Sequence, residues 1–283
     1  MHDFVVIFMQ VLDLIYKLCY NNLINKSEVP SMKTYFQDKL KVNIYDSRTA
    51  MGAAAAEDIS AKIKELLAEK NEISMIFAAA PSQNEVLASL VADKSIEWNR
   101  INAYHMDEYI GLDSSAPQCF GNFLDAHIFG LVPFKSVNYI KSDATDPDEE
   151  SARYSSLLAA TKIDIVVMGI GENGHIAFND PPVADFNDAK LVKPVKLDEV
   201  CRNQQVNDGC FAKIDDVPKY AITLTVPMLV SAPNLFCIVP APTKAWAVKE
   251  TLTGSIDEHC PASVLRTREG SILYLDPDSA SLL

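Results

Sequence analysis

The sequence predicts an α/β fold in which helices cover both faces of a mainly parallel sheet. Short runs of β-branched, aliphatic and aromatic residues alternate with longer segments whose apolar residues recur every three or four positions. Strand–helix alternation of this kind is typical of parallel sheets, because each connection has to cross back over one face. The chain has 283 residues, 48% of them hydrophobic, which is enough to bury one large core. The expected fold class is therefore α/β, with one mainly parallel sheet.

The individual elements follow from local residue patterns. The predicted strands are short apolar runs bounded by turn residues; in chain order they are Val42–Tyr45, Ile73–Ala78, Arg100–His105, Val137–Ile140, Ile163–Gly169, Tyr220–Thr223, Leu235–Val239 and Ser271–Leu275. The predicted helices have apolar residues at helical spacing; they are Arg48–Lys70, Asn84–Ala92, Pro117–Phe129, Asp148–Ala160 and Thr243–Leu252. The sequence has no internal repeat and no Gly/Ser-rich linker, so residues 32–283 are expected to form a single domain.

Residues 1–31 precede this pattern and have a different character. The stretch 4–12 is largely apolar, but Asp13 and Lys17 interrupt it well short of the ~20 residues that a membrane-spanning helix needs. The apolar run also lacks the preceding positive charge that a secretory signal requires. Two interpretations stay open: an additional amphipathic helix, or an extension upstream of a start at Met32.

The charge and the cysteines restrict the class of protein. The formal net charge is −13, so the surface repels nucleic acids and anionic membranes, and we expect neither as a partner. Any anionic substrate then needs a local cluster of positive charge. The six cysteines include no pair with C-x-x-C spacing, and several lie in apolar surroundings. This is typical of reduced thiols in a cytoplasmic protein, and not of a disulfide framework or a zinc site.

Two adjacent carboxylates follow the predicted strand Arg100–His105. Asp107 and Glu108 lie at the carboxyl end of that strand, where sheets of this kind bind ligands. Such a pair suits proton transfer, because one carboxylate can lie in a dry pocket while the other stays solvated. A turn that merely contains Asp-Glu is the alternative. We assign Asp107 as a catalytic base and Glu108 to the substrate-binding residues.

A glycine-rich loop follows the apolar strand Ile163–Gly169. Three glycines within six residues allow a ligand to approach the backbone closely, and we predict that Gly171 and Gly174 contact the substrate. Taken alone, the Gly-x-Gly-x-x-Gly spacing suggests a dinucleotide site, with a helix that opens at the third glycine. Pro181 and Pro182 follow where that helix should continue, so we expect no dinucleotide.

The same loop presents a histidine between polar neighbours. His175 is flanked by Asn173 and Asp180, which can hold an imidazole in place. A lone histidine is more often structural, but its position in a glycine-rich loop after a buried strand favours catalysis. We assign His175, Asn173 and Asp180 as catalytic residues.

Two further loops have features of a phosphate site. Lys244 lies in the first turn of the helix after Leu235–Val239, where free N–H groups and one positive charge together attract phosphate. A surface lysine is the alternative. Ser82 follows the strand Ile73–Ala78, where its hydroxyl either caps the next helix or contacts the same phosphate.

Together these loops resemble the signature motifs of the glucosamine-6-phosphate deaminase/isomerase family. The motifs are Met-Asp-Glu-Tyr-x-Gly-Leu at residues 106–112 and Gly-x-Gly-x-x-Gly-His-Ile-Ala-Phe-Asn at residues 169–179. Val-Pro-Lys-Tyr-Ala-x-Thr at 217–223 and Thr-Lys-Ala at 243–245 agree in order and spacing. The resemblance runs from about residue 40 to the end of the chain. It implies a Rossmann-like fold that converts an amino-sugar phosphate to a keto-sugar phosphate and ammonia, without a metal or redox cofactor.

The resemblance also implies roles for single residues. Asp107 resembles the base that moves a proton between C1 and C2 of the sugar. His175 resembles the residue that helps to open the pyranose ring, and Lys244 resembles the phosphate-binding lysine. Ser82 stands where the family has a threonine in its phosphate loop.

Several positions depart from the family pattern. Asn173 stands where the family has an aspartate, and Asp180 replaces a longer glutamate. The glycine-rich phosphate loop has become Ala-Ala-Pro-Ser at residues 79–82. The family's phosphate-binding arginine falls near Asp208, and we predict Arg202 as its nearest replacement.

The leading hypothesis is conversion of glucosamine 6-phosphate and water to fructose 6-phosphate and ammonia. Three alternatives stay open: a galactosamine-6-phosphate isomerase, a 6-phosphogluconolactonase of the same fold, and a sugar-phosphate sensor without turnover. The Met-Asp-Glu-Tyr stretch argues against the lactonase, whereas Asn173 and the lost arginine favour the sensor. The expected partner is a small sugar phosphate, and a homo-oligomer is compatible with the sequence.

Overall fold

The computed structural model describes residues 33–283. These residues contain an eight-stranded sheet. The predicted helical extension in residues 1–31 lies outside the described residues. In chain order the strands are β1 (Lys33–Gln37), β2 (Leu40–Ile44), β3 (Ile73–Phe77), β4 (Ile101–His105), β5 (Asp107–Tyr109), β6 (Ser136–Asn138), β7 (Ile165–Met168), β8 (Val192–Lys196), β9 (Tyr220–Leu224), β10 (Asn234–Val239) and β11 (Ser271–Leu275).

The large sheet has the order β1-β2-β11-β10-β7-β3-β4-β6. All neighbours pair in parallel except the β1–β2 hairpin at one edge, so the predicted mainly parallel sheet is confirmed. β4 and β6, which follow β3 in the chain, lie on one side of it. The later strands β7, β10 and β11 lie on the other side. The loops after β3 and β7 therefore diverge, and a divergence of this kind opens a crevice at the carboxyl ends of the strands.

Helices cover both faces of this sheet, as predicted. One face is packed by α1 (Arg48–Glu69), α2 (Asn84–Ala92) and α3 (Phe120–Leu124), and the other by α4 (Pro147–Ala159), α6 (Val226–Leu229) and α7 (Ala245–Thr253). A further helix, α5 (Glu199–Asn207), follows β8. No helix among residues 33–283 is long and apolar enough to cross a membrane.

Burial on both faces explains why the central strands are continuous apolar runs. In β3, Met75 and Phe77 belong to the core on one face, and Ile76 belongs to the core on the other. In α1, Ile59 and Ile63 are four residues apart and fully buried against the sheet. The helix begins where the Ser47 hydroxyl accepts the N–H of Ala50 at 3.1 Å.

A second, antiparallel sheet departs from the prediction. Its order is β5-β9-β8, and it pairs Asp107 with Thr223 and Tyr109 with Ala221. The assignment of Tyr220–Thr223 to the parallel sheet is therefore wrong, as is the assignment of Asp107 to a loop. As a consequence the backbone of Asp107 is fixed by a hydrogen-bonded ladder.

Candidate active site

A cavity of about 370 Å³ opens at the carboxyl ends of the parallel strands. It is lined by Ser82 after β3, Asp107 after β4, His175 after β7 and Lys244 after β10. Sequence reasoning placed these residues in four separate loops, and the structure brings them to one cavity. Gly171 also lies in the lining.

Asp107 is a buried carboxyl group without a partner. Its side chain is 7% exposed and makes no hydrogen bond or ion pair with any described residue. Burial raises the pKa of Asp107 well above its ordinary value, and the neighbouring charge of Glu108 adds to that effect. A carboxylate in this state is a strong base towards a proton in the cavity.

His105 holds the main chain of Asp107. Its Nδ1 donates to the Asp107 carbonyl at 2.9 Å, and its Nε2 accepts the N–H of Ile140 at 2.9 Å. Burial lowers the pKa of His105 to about 4, so the ring is neutral at physiological pH and can make both bonds. Sequence reasoning missed this residue because nothing in its spacing separates it from an ordinary strand histidine.

His175 presents an unpaired ring nitrogen. Its Nδ1 lies 2.7 Å from Asn173 Oδ1 and 2.9 Å from Asp180 Oδ1. Because both neighbouring atoms are acceptors, Nδ1 carries the proton and Nε2 is left with a lone pair. Among the described residues Nε2 has no partner, and the ring lines the cavity. His175 can therefore accept a proton from a ligand hydroxyl.

Asn173 and Asp180 lie behind His175, outside the cavity lining. The Asn173 amide donates to Asp180 Oδ1 at 3.0 Å and to Asp198 Oδ2 at 3.3 Å. Burial alone would raise the pKa of Asp180, but its interaction with His175 and the hydrogen bond from the Asn173 amide lower the pKa below its ordinary value. The Asn173 side chain thus bridges two carboxylates, so asparagine is suited to this position.

Asn173→Asp is expected to move the acidic limb of kcat/KM about one pH unit higher. An added carboxylate favours the protonated imidazole, whereas a ring that is to accept a proton must be neutral. The change also replaces the amide donor by a third carboxylate beside Asp180 and Asp198, so we expect a lower rate and a lower Tm. Asn71→Asp, at an exposed site before β3, is the control for added charge. Coincident acidic limbs in the pH–rate profiles would exclude any influence of residue 173 on His175.

The ring of His175 requires glycine at residue 171. A Cβ there would lie 2.1, 2.2 and 2.4 Å from Cε1, Nε2 and Nδ1 of the ring. We expect Gly171→Ala to displace the ring and to lower kcat/KM about 10²-fold, as misplacement of a catalytic group by ~1 Å does. Steady-state kinetics of the double variant with His175→Gln provide the control, because both changes remove the same group and should not add. Full additivity would contradict this role of Gly171.

Three atoms in this region are of metal-binding type. His175, Asp180 and Cys201 place nitrogen, oxygen and sulfur within 4.8 Å of one another. A metal would need the thiolate, but burial and the charge of Asp180 raise the pKa of Cys201 well above its ordinary value. The observed contacts are those of a hydrogen-bonded support for His175.

The other end of the cavity holds a buried cation. Lys244 is 4% exposed, and its side chain makes no hydrogen bond or ion pair with any described residue. Burial lowers the pKa of Lys244, and the charges of Asp208 and Glu172 act in the opposite direction. The loop before it is strained at Ala241, whose φ of 85° is unusual for a residue with a Cβ. A buried lysine without a partner is suited to bind an anion.

Three predicted substrate contacts lie outside the cavity lining. The Glu108 carboxylate accepts the backbone N–H groups of Tyr109, Phe120 and Gly121 at 2.9 to 3.0 Å, so it supports the loop. Arg202 donates to the carbonyls of Ile214 and Val217, and Gly174 packs against Cys260 with a φ of 84°. Glu108, Arg202 and Gly174 thus make structural contacts, and a contact of any of them with the substrate stays a prediction.

The lining also contains residues that sequence reasoning missed. Gln205 uses its oxygen to accept the Tyr109 hydroxyl at 2.7 Å, and its amide nitrogen has no partner among the described residues. Gln204, Asp208 and Arg48 line the cavity as well. The polar, mostly uncharged pattern of α5 gave no signal for the two glutamines, since such residues are also typical of exposed helices.

The fold and the cavity define an α/β protein in which an unpaired carboxyl group, a histidine with a free ring nitrogen and a buried lysine line one cavity. The family described as glucosamine-6-phosphate isomerases/6-phosphogluconolactonase matches residues 46–274, and the chain belongs to this family.

Curated relatives and solved structures are consistent with this assignment. The glucosamine-6-phosphate deaminase of Listeria welshimeri is 32% identical over 212 residues, which cover 75% of this chain and 88% of the relative. That of Bacillus cereus is 33% identical over 220 residues, or 78% and 82% of the two chains. The structure of a monomeric glucosamine-6-phosphate deaminase gives a TM-score of 0.77 at 28% identity and covers 86% of this chain and 99% of that chain. A 6-phosphogluconolactonase of Thermotoga maritima gives 0.69 at 20% identity, covers 84% and 100%, and shares the fold.

Proposed function

We propose that this protein is a deaminating isomerase that converts glucosamine 6-phosphate and water to fructose 6-phosphate and ammonia. The observation that carries the proposal is an unpaired, buried Asp107 in one cavity with a histidine that has a free Nε2 and a lysine that has no partner. These are the groups that proton transfer on a phosphorylated sugar needs. The curated relatives at 32% and 33% identity are glucosamine-6-phosphate deaminases by name, which supports the proposal.

The reaction begins with opening of the pyranose ring. His175 Nε2 accepts the proton of the C1 hydroxyl and passes it to the ring oxygen as the C1–O5 bond breaks. The neighbours of Nδ1 disperse the positive charge that develops on the imidazole. The product of this step is the open-chain aldehyde.

Asp107 then moves a proton between two carbons. Its carboxylate takes the proton from C2 of the open chain while the C1 oxygen takes up a proton from the substrate's ammonium group, which gives an enolamine. The carboxyl group of Asp107 then returns its proton to C1. The resulting C2 iminium adds water and loses ammonia, which leaves the ketose phosphate. A carboxyl group with a raised pKa suits both directions of this transfer, because it is basic enough to accept the proton and acidic enough to return it.

Lys244 and the loop that contains Ser82 hold the phosphate during these steps. Lys244 supplies a buried positive charge, and the Ser82 hydroxyl lies in the same lining. Anchoring one end of a flexible open chain keeps C1 and C2 beside Asp107, which lowers the entropic barrier of the proton transfer.

A substrate panel tests the proposed function. Ammonia release is measured with glucosamine 6-phosphate, galactosamine 6-phosphate and unphosphorylated glucosamine, and hydrolysis is measured with 6-phosphogluconolactone. We expect the highest kcat/KM for glucosamine 6-phosphate. Faster hydrolysis of the lactone, or ammonia release from none of the amino sugars, would contradict the proposal.

A further inference from the structure

Arg48 is a cation in the cavity lining that the sequence motifs do not include. It is the first residue of α1 and lies beside the loop after β3. Its Nη2 donates to the Pro81 carbonyl at 2.6 Å, and its Nε donates to Glu85 Oε1 at 2.8 Å. Its Nη1 makes no hydrogen bond with a described residue, and 36% of the side chain is exposed. The guanidinium is therefore held in place by two hydrogen bonds, and Nη1 and one proton of Nη2 remain available to a ligand.

A phosphate dianion in this cavity would need a second positive charge besides that of Lys244. Among the described residues, Arg48 and Lys244 are the lysine and arginine side chains of the lining. Asp208 also lies in the lining, and the charges of Asp208 and Glu172 act on Lys244. A phosphate dianion held by Lys244 alone would meet this nearby negative charge in a poorly solvated space. Arg48, at the start of α1 and beside the loop after β3, provides this second positive charge.

We propose that Arg48 is the second phosphate-binding cation of this site, in place of the arginine that the resemblance locates near Asp208. This inference rests on the proposed function, since it names a residue that holds the phosphate of that substrate. A guanidinium presents its donors as a planar fork that matches phosphate oxygens. Nη1 and the remaining Nη2 proton bind the anion, while the other donors keep the side chain against Pro81 and Glu85.

A purely structural role for Arg48 makes different predictions. If Arg48 only holds the loop through Glu85 and Pro81, then Arg48→Lys and Glu85→Gln should damage the site as much as Arg48→Gln. If Arg48 binds phosphate directly, lysine keeps the charge and much of the binding. Glu85→Gln then leaves phosphate affinity unchanged or increases it, because the charge of Arg48 is no longer neutralised.

Calorimetry and kinetics of these variants test the proposal. The Kd values for inorganic phosphate and glucose 6-phosphate and the KM for glucosamine 6-phosphate are compared with those of wild type. We expect Arg48→Gln to raise all three about tenfold with kcat within about threefold, since an anchor contributes mainly uniform binding. Arg268→Gln, before the amino end of β11 and so at the end of the sheet opposite the cavity, removes one charge and should match wild type.

Unchanged constants in Arg48→Gln, or equal damage by Arg48→Lys and Glu85→Gln, would overturn the assignment. Absence of phosphate binding by wild type would overturn it too. If wild type releases no ammonia but Arg48→Gln weakens phosphate binding, the proposed function fails and the role of Arg48 stands. If wild type releases ammonia and Arg48→Gln keeps its KM, the role of Arg48 alone fails.

Discussion

Asp107→Asn is expected to lower kcat by roughly 10²–10⁴-fold while binding of glucose 6-phosphate stays close to wild type, because the change removes the base and keeps the anchor. The amide has the shape of the carboxyl group but cannot take the C2 proton. Because Asp107 has no partner among the described residues, the substitution breaks no ion pair or side-chain hydrogen bond. Turnover by coupled ammonia assay and binding by calorimetry check the two halves of this expectation.

The Tm of Asp107→Asn, measured as a function of pH, provides a control, because the raised pKa of Asp107 predicts the direction in which Tm changes. The folded-state pKa of Asp107 is raised, so folding favours the protonated form and the ionised form destabilises the protein at higher pH. Asp107→Asn should therefore raise Tm at pH values above the folded pKa. The gain should shrink as the pH falls towards the ordinary carboxyl pKa. Retention of more than about a tenth of the wild-type kcat, with binding unchanged, would exclude Asp107 as the base.

Lys244→Ala is expected to raise the KM for glucosamine 6-phosphate about 10- to 100-fold with a smaller change in kcat. A charge-assisted hydrogen bond to phosphate contributes about 1.5–3 kcal/mol, and each 1.4 kcal/mol corresponds to tenfold in affinity. Lys244 is buried and unpaired, so the whole of this interaction is available to the ligand. Steady-state kinetics over a range of substrate concentrations separate KM from kcat.

The matched control is Lys249→Ala, an exposed lysine on α7. It removes the same charge from the helix that directly follows Lys244 and should leave the KM unchanged. The turnover of unphosphorylated glucosamine should also respond little to Lys244→Ala, since that sugar has nothing for the lysine to bind. An unchanged KM for the phosphorylated substrate would mean that the phosphate lies elsewhere in the cavity.

The parallel sheet could be predicted because its strands are buried on both faces. β3 and β7 are unbroken apolar runs, and the polar loops after them stand out against that background. For the same reason Asp107, His175, Ser82 and Lys244 could be found from sequence. Each is the polar residue that follows a strand whose burial is already evident.

The antiparallel sheet and α5 could not be predicted from the same signals. β8 contains Pro194 and two lysines, and β5 is only three residues long. Neither segment therefore shows the run of apolar residues that predicts a buried strand. The buried residues of α5 are Cys201, Gln204 and Gln205, and a hydrophobic pattern does not detect the two glutamines. Arg48 could not be predicted for a different reason. Its position in the sequence indicates only the start of a helix, and the tertiary fold brings it to the loop after β3.

Product analysis tests the central claim most directly. Wild-type protein and Asp107→Asn are incubated with glucosamine 6-phosphate labelled with ¹³C at C2, and the reaction is followed by NMR together with enzymatic measurement of ammonia. The account predicts that wild type converts the amine-bearing C2 to the ketose C2 of fructose 6-phosphate with one ammonia released per ketose. It predicts no conversion above background in Asp107→Asn. A C2 signal that stays unchanged with wild type, or equal conversion by Asp107→Asn, would contradict it.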